Sequence, residues 1–278
     1  MPDPGPPTPA TWTAQSRDGT AIAVAPLGDG PSLILVHGAA ADHTTFRVLA
    51  PRLATRWTTN AIDRRGRGRS GDTLPYAIER EFEDIAAVAE ALAEADGAPV
   101  DVFGHSYGGR CALGAALRTT AIRRVISYEG APTPPGQRYG DAAVLGELVA
   151  LEAAGHPEAL LETFLRRVVG LTDDDITAYR ANPVWPDRVA AAPTIVRELA
   201  AEGSAIGPGS LDALGAVRQP VLQLLGGDSL PTFRVATEAL DAHLANGRIV
   251  TIPGARHAAH HTHPDAVVVA VTDFLDEA

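Results

Sequence analysis

The stretch PVDVFGHSYGGRCALGAAL, residues 99–117, places a serine at the junction of two regular elements. Val100, Val102 and Phe103 predict a short buried strand, and the alanine and leucine spacing after Tyr107 predicts a helix. Because no loop separates the two, the chain must reverse at Ser106, and this residue is pushed toward a positive φ. We therefore expect the Ser106 hydroxyl to lie exposed at the tip of a strand, beside the N-terminus of a helix.

The glycines around Ser106 support the same geometry. A reversal this tight brings the residues two before and two after the serine into contact, and these residues are Gly104 and Gly108. The pattern G-x-S-x-G between a strand and a helix is typical of a nucleophilic serine. The alternative is a glycine-rich turn in which the serine has no chemical role, because short motifs also recur by chance.

Composition limits the classes of function. The chain has 278 residues, of which 45% are hydrophobic and 21% charged, with a net charge of −11. This is an ordinary globular composition, and the acidity argues against a nucleic-acid partner. All 23 basic residues are arginines. The absence of lysine excludes Schiff-base chemistry and a P-loop lysine.

Neither the N-terminal residues nor the apolar runs of the sequence suggest a secreted or membrane protein. Residues 1–10, MPDPGPPTPA, lack the basic and apolar regions of a signal peptide and predict a disordered arm. No apolar run reaches transmembrane length, so we expect a cytoplasmic protein without a membrane partner. The single cysteine, Cys111, is expected to fill the core rather than to act as a nucleophile.

Strand and helix patterns alternate along most of the chain. A hairpin is predicted around Asp18–Gly19, and residues 77–96 form an amphipathic helix with Phe82, Ile85, Ala89 and Leu92 on one face. The apolar runs PSLILVHG and RWTTNAID suit buried parallel strands. The fold class is therefore α/β, with a mostly parallel sheet covered by helices.

One segment interrupts the alternation. Residues 132–215 contain helical patterns around 142–153, 159–169, 173–181 and 194–201 but no convincing strand, and proline and glycine mark both ends. We interpret this segment as a helical cap, and residues 11–131 and 216–278 as the core.

Polar residues follow three of the predicted strands downstream of Ser106. Glu129 follows VISY, Asp228 follows VLQLLGG, and His257 follows RIVTIPGAR. Functional sites of parallel sheets lie at the carboxyl ends of the strands. Serine, acid and histidine are thus expected at one edge of the sheet.

Several spaced motifs together resemble the α/β-hydrolase fold superfamily, in its serine-nucleophile, esterase-like branch with a helical cap. They are HGAAAD (37–42), DRRGRGRSG (63–71), GHSYGG (104–109), GGDS (226–229) and GARHAAHHTHP (254–264). The resemblance implies that Ser106 attacks a carbonyl and that His257 takes and returns its proton. The backbone N–H groups of Ala39 and Tyr107 would form the oxyanion hole.

The acid that orients His257 has two candidates. In many relatives it stands three residues after the glycine that ends its strand, and Asp228 is one residue short of that place. Other relatives take the acid from the preceding strand, where Glu129 stands. We favour Asp228 and keep Glu129 as the alternative. Asp63 is expected to organise the arginine-rich loop, whose arginines form loop ion pairs or a solvated face.

The histidine-rich segment allows a second interpretation. His260, His261 and His263 could form a metal site, but no carboxylate or cysteine completes a recognisable ligand spacing. Pro264 stands seven residues after His257, as the resemblance requires of the catalytic histidine. We expect no metal and no cofactor.

The expected activity is cleavage of a small to medium, apolar carboxylic ester or lactone through an acyl-enzyme. Thioester hydrolysis, C–C bond hydrolysis and cofactor-free haloperoxidase or perhydrolase chemistry are alternatives on the same triad. A ligand receptor without activity is the alternative from another class. Four residues either line the substrate pocket or pack in the core or cap: Phe46, Leu145, Leu148 and Trp185.

Overall fold

The computed structural model describes residues 10–202 and 207–277, which form an eight-stranded sheet in the order β1-β2-β4-β3-β5-β6-β7-β8. The strands are β1 Trp12–Gln15, β2 Ala21–Leu27, β3 Ser32–Val36, β4 Thr58–Ile62, β5 Val100–His105, β6 Ile122–Tyr128, β7 Val221–Gly226 and β8 Gly247–Ile252. β2 is antiparallel to β1 and β4, and all other pairs are parallel. The predicted fold class is confirmed.

Twelve α-helices are present among the described residues. They are α1 Ala50–Leu53, α2 Ile78–Asp96, α3 Tyr107–Ala116, α4 Ala142–Ala153, α5 Pro157–Phe164, α6 Asp173–Arg180, α7 Trp185–Ala191, α8 Ile195–Glu202, α9 Leu211–Leu214, α10 Pro231–Asp241, α11 Ala259–Thr262 and α12 Pro264–Leu275. None of them is both long and apolar enough to span a bilayer.

The sheet buries both of its faces. Successive residues of a strand point to opposite sides, so in β3 Ile34 packs on one side with α2, α3 and α10, whereas Leu35 packs on the other with α1 and α12. Cys111 lies in the first of these clusters and is fully buried, as expected. Helices on both faces leave the carboxyl ends of the strands as the open edge where a site can form.

The N-terminal hairpin forms as predicted. Asp18 Oδ1 accepts a hydrogen bond from the Thr20 N–H at 3.0 Å, and Gly19 has φ +83°. Trp12 of β1 is paired with Val24 of β2. The predicted arm, residues 1–10, lies outside the described residues except for Ala10.

The regular elements described between β6 and β7 are all helical. α4 to α9 lie here, and a π-helical turn at Leu165–Val169 continues α5. Four of the helices match the predicted patterns, whereas the sequence patterns missed α7 and α9. α4 to α8 share an apolar cluster that includes Ala40 from the loop after β3, so they pack over the carboxyl edge of the sheet, whereas α9 packs with α3 and α10 in the core.

The packing of α2 on α3 gives a test of the core. Phe82 is fully buried, and its ring occupies the space left by the missing side chain of Gly114. We expect Phe82→Ala to lower the free energy of unfolding by about 3–5 kcal/mol, because it leaves a cavity between the helices. Glu90→Ala, on the exposed face of α2, should change it by less than about 0.5 kcal/mol. Urea denaturation measures both; equal effects would contradict this packing.

Candidate functional site

The turn at Ser106 has the predicted conformation. Ser106 has φ +53° and ψ −128° between the end of β5 and the start of α3. A Cβ at Gly104 or Gly108 would collide with backbone atoms, so glycine is required at both positions. The Ser106 N–H donates to the carbonyl of Tyr128 at 2.8 Å. These contacts fix the serine at the carboxyl edge of the sheet.

His257 contacts a carboxylate, and this carboxylate is Glu129. The His257 Nδ1 and Glu129 Oε2 atoms are 2.5 Å apart, and both side chains are buried. The other oxygen, Glu129 Oε1, accepts a hydrogen bond from the Gly226 N–H at 2.7 Å. Because a carboxylate accepts, Nδ1 carries the proton and donates it, which leaves Nε2 of the neutral ring as an acceptor.

The preferred assignment of the acid to Asp228 is therefore corrected. Asp228 is exposed in the turn after β7, where its N–H donates to the carbonyl of Ala255 at 2.9 Å. Glu129 follows β6 directly and has φ +48°, a conformation unusual for a residue with a side chain. In this conformation Glu129 reaches both the end of β7 and the imidazole. The alternative candidate for the acid is the one that the geometry supports.

Further contacts hold the loop that carries His257. The Tyr128 hydroxyl donates to the carbonyl of Arg256 and accepts from the Ala259 N–H at 3.1 Å. Nε2 of His105 donates to the carbonyl of His257 at 2.7 Å. Phe233 stacks on the imidazole of His257 with ring centroids 4.2 Å apart. The loop is thus fixed on both sides of the histidine.

The peptide between Gly38 and Ala39 is held by two donors. His37 Nε2 accepts from the Arg64 N–H at 3.0 Å, so its proton is on Nδ1, which donates to the Gly38 carbonyl at 2.8 Å. Arg64 NH1 donates to the same carbonyl at 3.2 Å. In a trans peptide the N–H points opposite to the C=O. The Ala39 N–H therefore points away from both donors, and Ala39 and Tyr107 line a cavity together with Ser106.

Three of the four arginines in the loop after β4, Arg64, Arg65 and Arg67, form buried ion pairs, whereas Arg69 is exposed. Arg64 contacts Glu81 of α2 at 2.7 Å and Glu198 of α8 at 2.5 Å, and Arg67 contacts both acids as well. The guanidinium of Arg64 also lies over the ring of Tyr107, 4.7 Å from its centroid. Asp63 organises this loop, as predicted, by accepting from the N–H groups of His43 and Arg69.

Two cavities meet at Ser106 and His257. The larger has a volume of about 400 Å³ and is lined mainly by apolar side chains of α5 and the turn that follows it, with Tyr179, His260 and His261. The smaller, about 30 Å³, includes Glu198 and Phe233.

The four predicted pocket residues lie outside both cavities. Phe46, Leu148 and Trp185 pack in apolar clusters, and Leu145 lines a separate surface cavity. Helical periodicity predicts where a helix lies along the chain but not how it is rotated about its axis, so the sequence did not identify Phe164 and Leu165 as cavity walls.

The histidine-rich segment lines the larger cavity in part. Burial lowers the pKa of His260 well below its usual range and that of His261 to about 4, so both rings are neutral at pH 7. Thr45 Oγ1 lies 3.5 Å and 3.4 Å from their Nε2 atoms. The described residues contain no group of three or more His, Cys, Asp or Glu side chains that could hold a metal ion.

Comparison with known proteins shows clear similarity. Residues 33–271 match the alpha/beta hydrolase family. A pimeloyl-[acyl-carrier protein] methyl ester esterase of Neisseria meningitidis is 27% identical, over 87% of this chain and 92% of its own. A 2-(acetamidomethylene)succinate hydrolase of Mesorhizobium japonicum is also 27% identical, over 90% and 89%.

A solved structure agrees with these relatives. An alpha/beta hydrolase from Sphaerobacter thermophilus superposes with a TM-score of 0.80 at 33% identity, covering 95% of this chain and 100% of that one. The sheet and helices described above are thus the alpha/beta hydrolase fold, and hydrolysis is the reaction class that these similarities support.

The lowered pKa of His261, a partly buried histidine, predicts a pH dependence of stability. The pKa of His261 is about 4 in the folded protein and about 6.5 in an unfolded chain, so between these values the unfolded state binds more protons. The free energy of unfolding should therefore fall as pH drops from 6.5, by up to about 1.4 kcal/mol per pH unit for each such histidine. His261→Gln should reduce the slope measured by urea denaturation between pH 5 and 6.5. Thr262→Val, an exposed neighbour, should not; an unchanged slope in His261→Gln would contradict the burial of a neutral ring.

Proposed function

We propose that this chain, which belongs to the alpha/beta hydrolase family, is a serine hydrolase that cleaves a carboxylic ester or lactone through an acyl-enzyme. The contact that carries the proposal is the 2.5 Å hydrogen bond between His257 and Glu129 at the cavity that contains Ser106. A nucleophile, a base and an orienting acid are the three groups that such a reaction needs.

In the proposed mechanism Ser106 Oγ attacks the carbonyl carbon while His257 Nε2 accepts its proton. Glu129 keeps the imidazole in the Nδ1–H tautomer and stabilises the imidazolium that forms. The imidazolium then protonates the leaving oxygen, and the acyl group stays on Ser106. A water molecule, deprotonated by the same histidine, releases the acid and restores the serine. These steps require no cofactor.

The oxyanion of each tetrahedral intermediate would be bound by the N–H groups of Ala39 and Tyr107. The Ala39 N–H is aimed by the two hydrogen bonds to the Gly38 carbonyl. Tyr107 begins α3, so its N–H also lies at the positive end of the helix dipole. Donors that are held before the substrate arrives need no reorganisation during the reaction, which is the basis of oxyanion stabilisation.

The helical segment between β6 and β7 supplies apolar walls to the larger cavity, and these walls support an apolar substrate. We propose that residues 132–215 act as a cap over the core formed by residues 11–131 and 216–278. α5 contributes Leu161 and Phe164 to the wall of the larger cavity, and the loop after β3 contributes residues 39–41. A cavity of about 400 Å³ with mainly apolar walls suits a small to medium, apolar ester or lactone.

The role of the nucleophile is tested by Ser106→Ala. We expect the folded variant to lose at least 10³-fold in kcat on p-nitrophenyl esters and to lose labelling by a fluorophosphonate, because the attacking oxygen is gone. Wild-type circular dichroism is the control for folding. Activity within tenfold of wild type would rule out the serine mechanism.

The acid is tested by a matched pair of isosteric variants. Glu129→Gln should lower kcat by about 10⁴, or roughly 5.5 kcal/mol, because an amide favours the wrong imidazole tautomer. Asp228→Asn should change kcat by less than threefold, because Asp228 is exposed in the turn after β7. If Asp228→Asn lowered kcat on p-nitrophenyl butyrate more than Glu129→Gln did, Asp228 and not Glu129 would be the acid that orients His257.

A further inference from the structure

A second carboxylate faces the smaller cavity beside Ser106. Glu198, in the middle of α8, is 1% exposed and lines this cavity with Ser106, Tyr107 and His257. It comes from the helical segment between β6 and β7, whereas the other three come from the core.

The two oxygens of Glu198 have different surroundings. Oε1 accepts hydrogen bonds from Arg64 at 2.5 Å and from Arg67. Oε2 is equally buried and accepts no hydrogen bond from any of the described residues. A buried acceptor without a partner destabilises the fold by more than a typical hydrogen bond stabilises it, and the loss is larger for a charged group. The free oxygen therefore favours a ligand that brings a donor.

The position of Glu198 is fixed from behind. Arg64 is clamped by two hydrogen bonds to Glu81 and one to the Gly38 carbonyl, and Arg67 donates to the Arg65 carbonyl at 2.6 Å. Oε1 is held by two guanidinium groups that cannot themselves move without breaking buried ion pairs. In this arrangement Arg67 binds Oε1 through one guanidinium nitrogen, and neither Arg67 Nε nor Glu198 Oε2 has a hydrogen-bond partner among the described residues.

The rest of the smaller cavity is mainly apolar. Its walls include Phe164, Val168, Ile195 and Leu199, and Tyr139 donates its hydroxyl to the Ala131 carbonyl. Within the cavity, Glu129 is already engaged with His257 and Gly226. Specific pockets usually have mainly apolar walls and a few polar groups. The polar groups fix the orientation of the ligand and so provide specificity.

We propose that Glu198 is a specificity-determining residue, whose free oxygen accepts a hydrogen bond from a hydroxyl or amide N–H on the acyl part of the substrate. This inference rests on the serine hydrolase function proposed above and narrows its substrate class to donor-bearing acyl groups. An acyl group that carries its own carboxylate is disfavoured, because it would place a negative charge against Oε2.

The experiment compares matched p-nitrophenyl esters of butyrate, 2-hydroxybutyrate, 3-hydroxybutyrate and succinate. Rates are divided by those of hydroxide-catalysed hydrolysis, which removes differences in intrinsic reactivity. We expect wild-type kcat/KM to be at least tenfold higher for one of the hydroxy esters than for butyrate, and lower for succinate than for butyrate. The absence of any preference for a hydroxyl group would overturn the proposal, and this result does not depend on a variant.

Glu198→Gln tests the residue itself. The arginines will hold the amide oxygen, so the amide nitrogen, a donor, will face the cavity in place of Oε2. The ratio of kcat/KM between the preferred hydroxy ester and butyrate should fall at least fivefold, mainly through KM. Glu162→Gln is the matched control, because Glu162 pairs with Arg180 and lines neither cavity; its ratio should equal that of wild type.

The outcomes separate this inference from the proposed function. Hydrolysis of all four esters in proportion to their intrinsic reactivity would overturn the role of Glu198 and leave the serine hydrolase intact. An unchanged ratio in Glu198→Gln would do the same. No hydrolysis and no fluorophosphonate labelling of Ser106 would overturn the hydrolase proposal, and the role of Glu198 with it.

Discussion

The reversal of the chain at Ser106 is the constraint on which the rest of this structure depends. A serine at φ +53° carries roughly 1–3 kcal/mol of strain, which persists only where the surroundings leave no alternative. β5 lies between β3 and β6 in the middle of the sheet, and neither Gly104 nor Gly108 has room for a side chain. The serine therefore emerges where the loops after its neighbouring strands converge, and these loops bring Ala39 and Glu129 to it.

Arginine forms the electrostatic links between this edge of the sheet and the helices above it. Arg64 joins the Gly38 peptide to α2 and α8, and Arg188 of α7 pairs with Asp42 at 2.7 Å. A guanidinium has five N–H donors in a plane, so one side chain can serve a carbonyl and two carboxylates at once, which an ammonium does less well. Breaking one partner of such a buried pair leaves an uncompensated charge. Arg64, which pairs with Glu198 of the helical segment, thus also positions the Ala39 N–H, one of the two candidate oxyanion donors.

The sequence was sufficient for features with a local pattern and insufficient for those that depend on distances between loops. Ser106 and the helix after it follow from glycine and alanine spacing, and the hairpin follows from Asp18–Gly19. The sequence could not choose between Glu129 and Asp228, because the two follow adjacent strands. Only the three-dimensional turn shows that Glu129 contacts Gly226 and His257 while Asp228 is exposed. Helical periodicity located most of the helical segment but not its rotation. The burial of the arginine-rich loop was predictable from α2. Glu81 lies on the same face of this helix as Phe82 and Ile85, and a carboxylate on a buried face requires a cation.

The most direct measurement is a crystal structure of the protein after reaction with a p-nitrophenyl alkylphosphonate, which imitates the tetrahedral intermediate. We expect phosphorus bonded to Ser106 Oγ, with a phosphonyl oxygen within about 3.2 Å of the N–H groups of Ala39 and Tyr107. We also expect Glu129 to remain within hydrogen-bond distance of His257 Nδ1. An unmodified Ser106, a phosphonyl oxygen bound elsewhere, or Asp228 in contact with His257 would contradict the proposed mechanism.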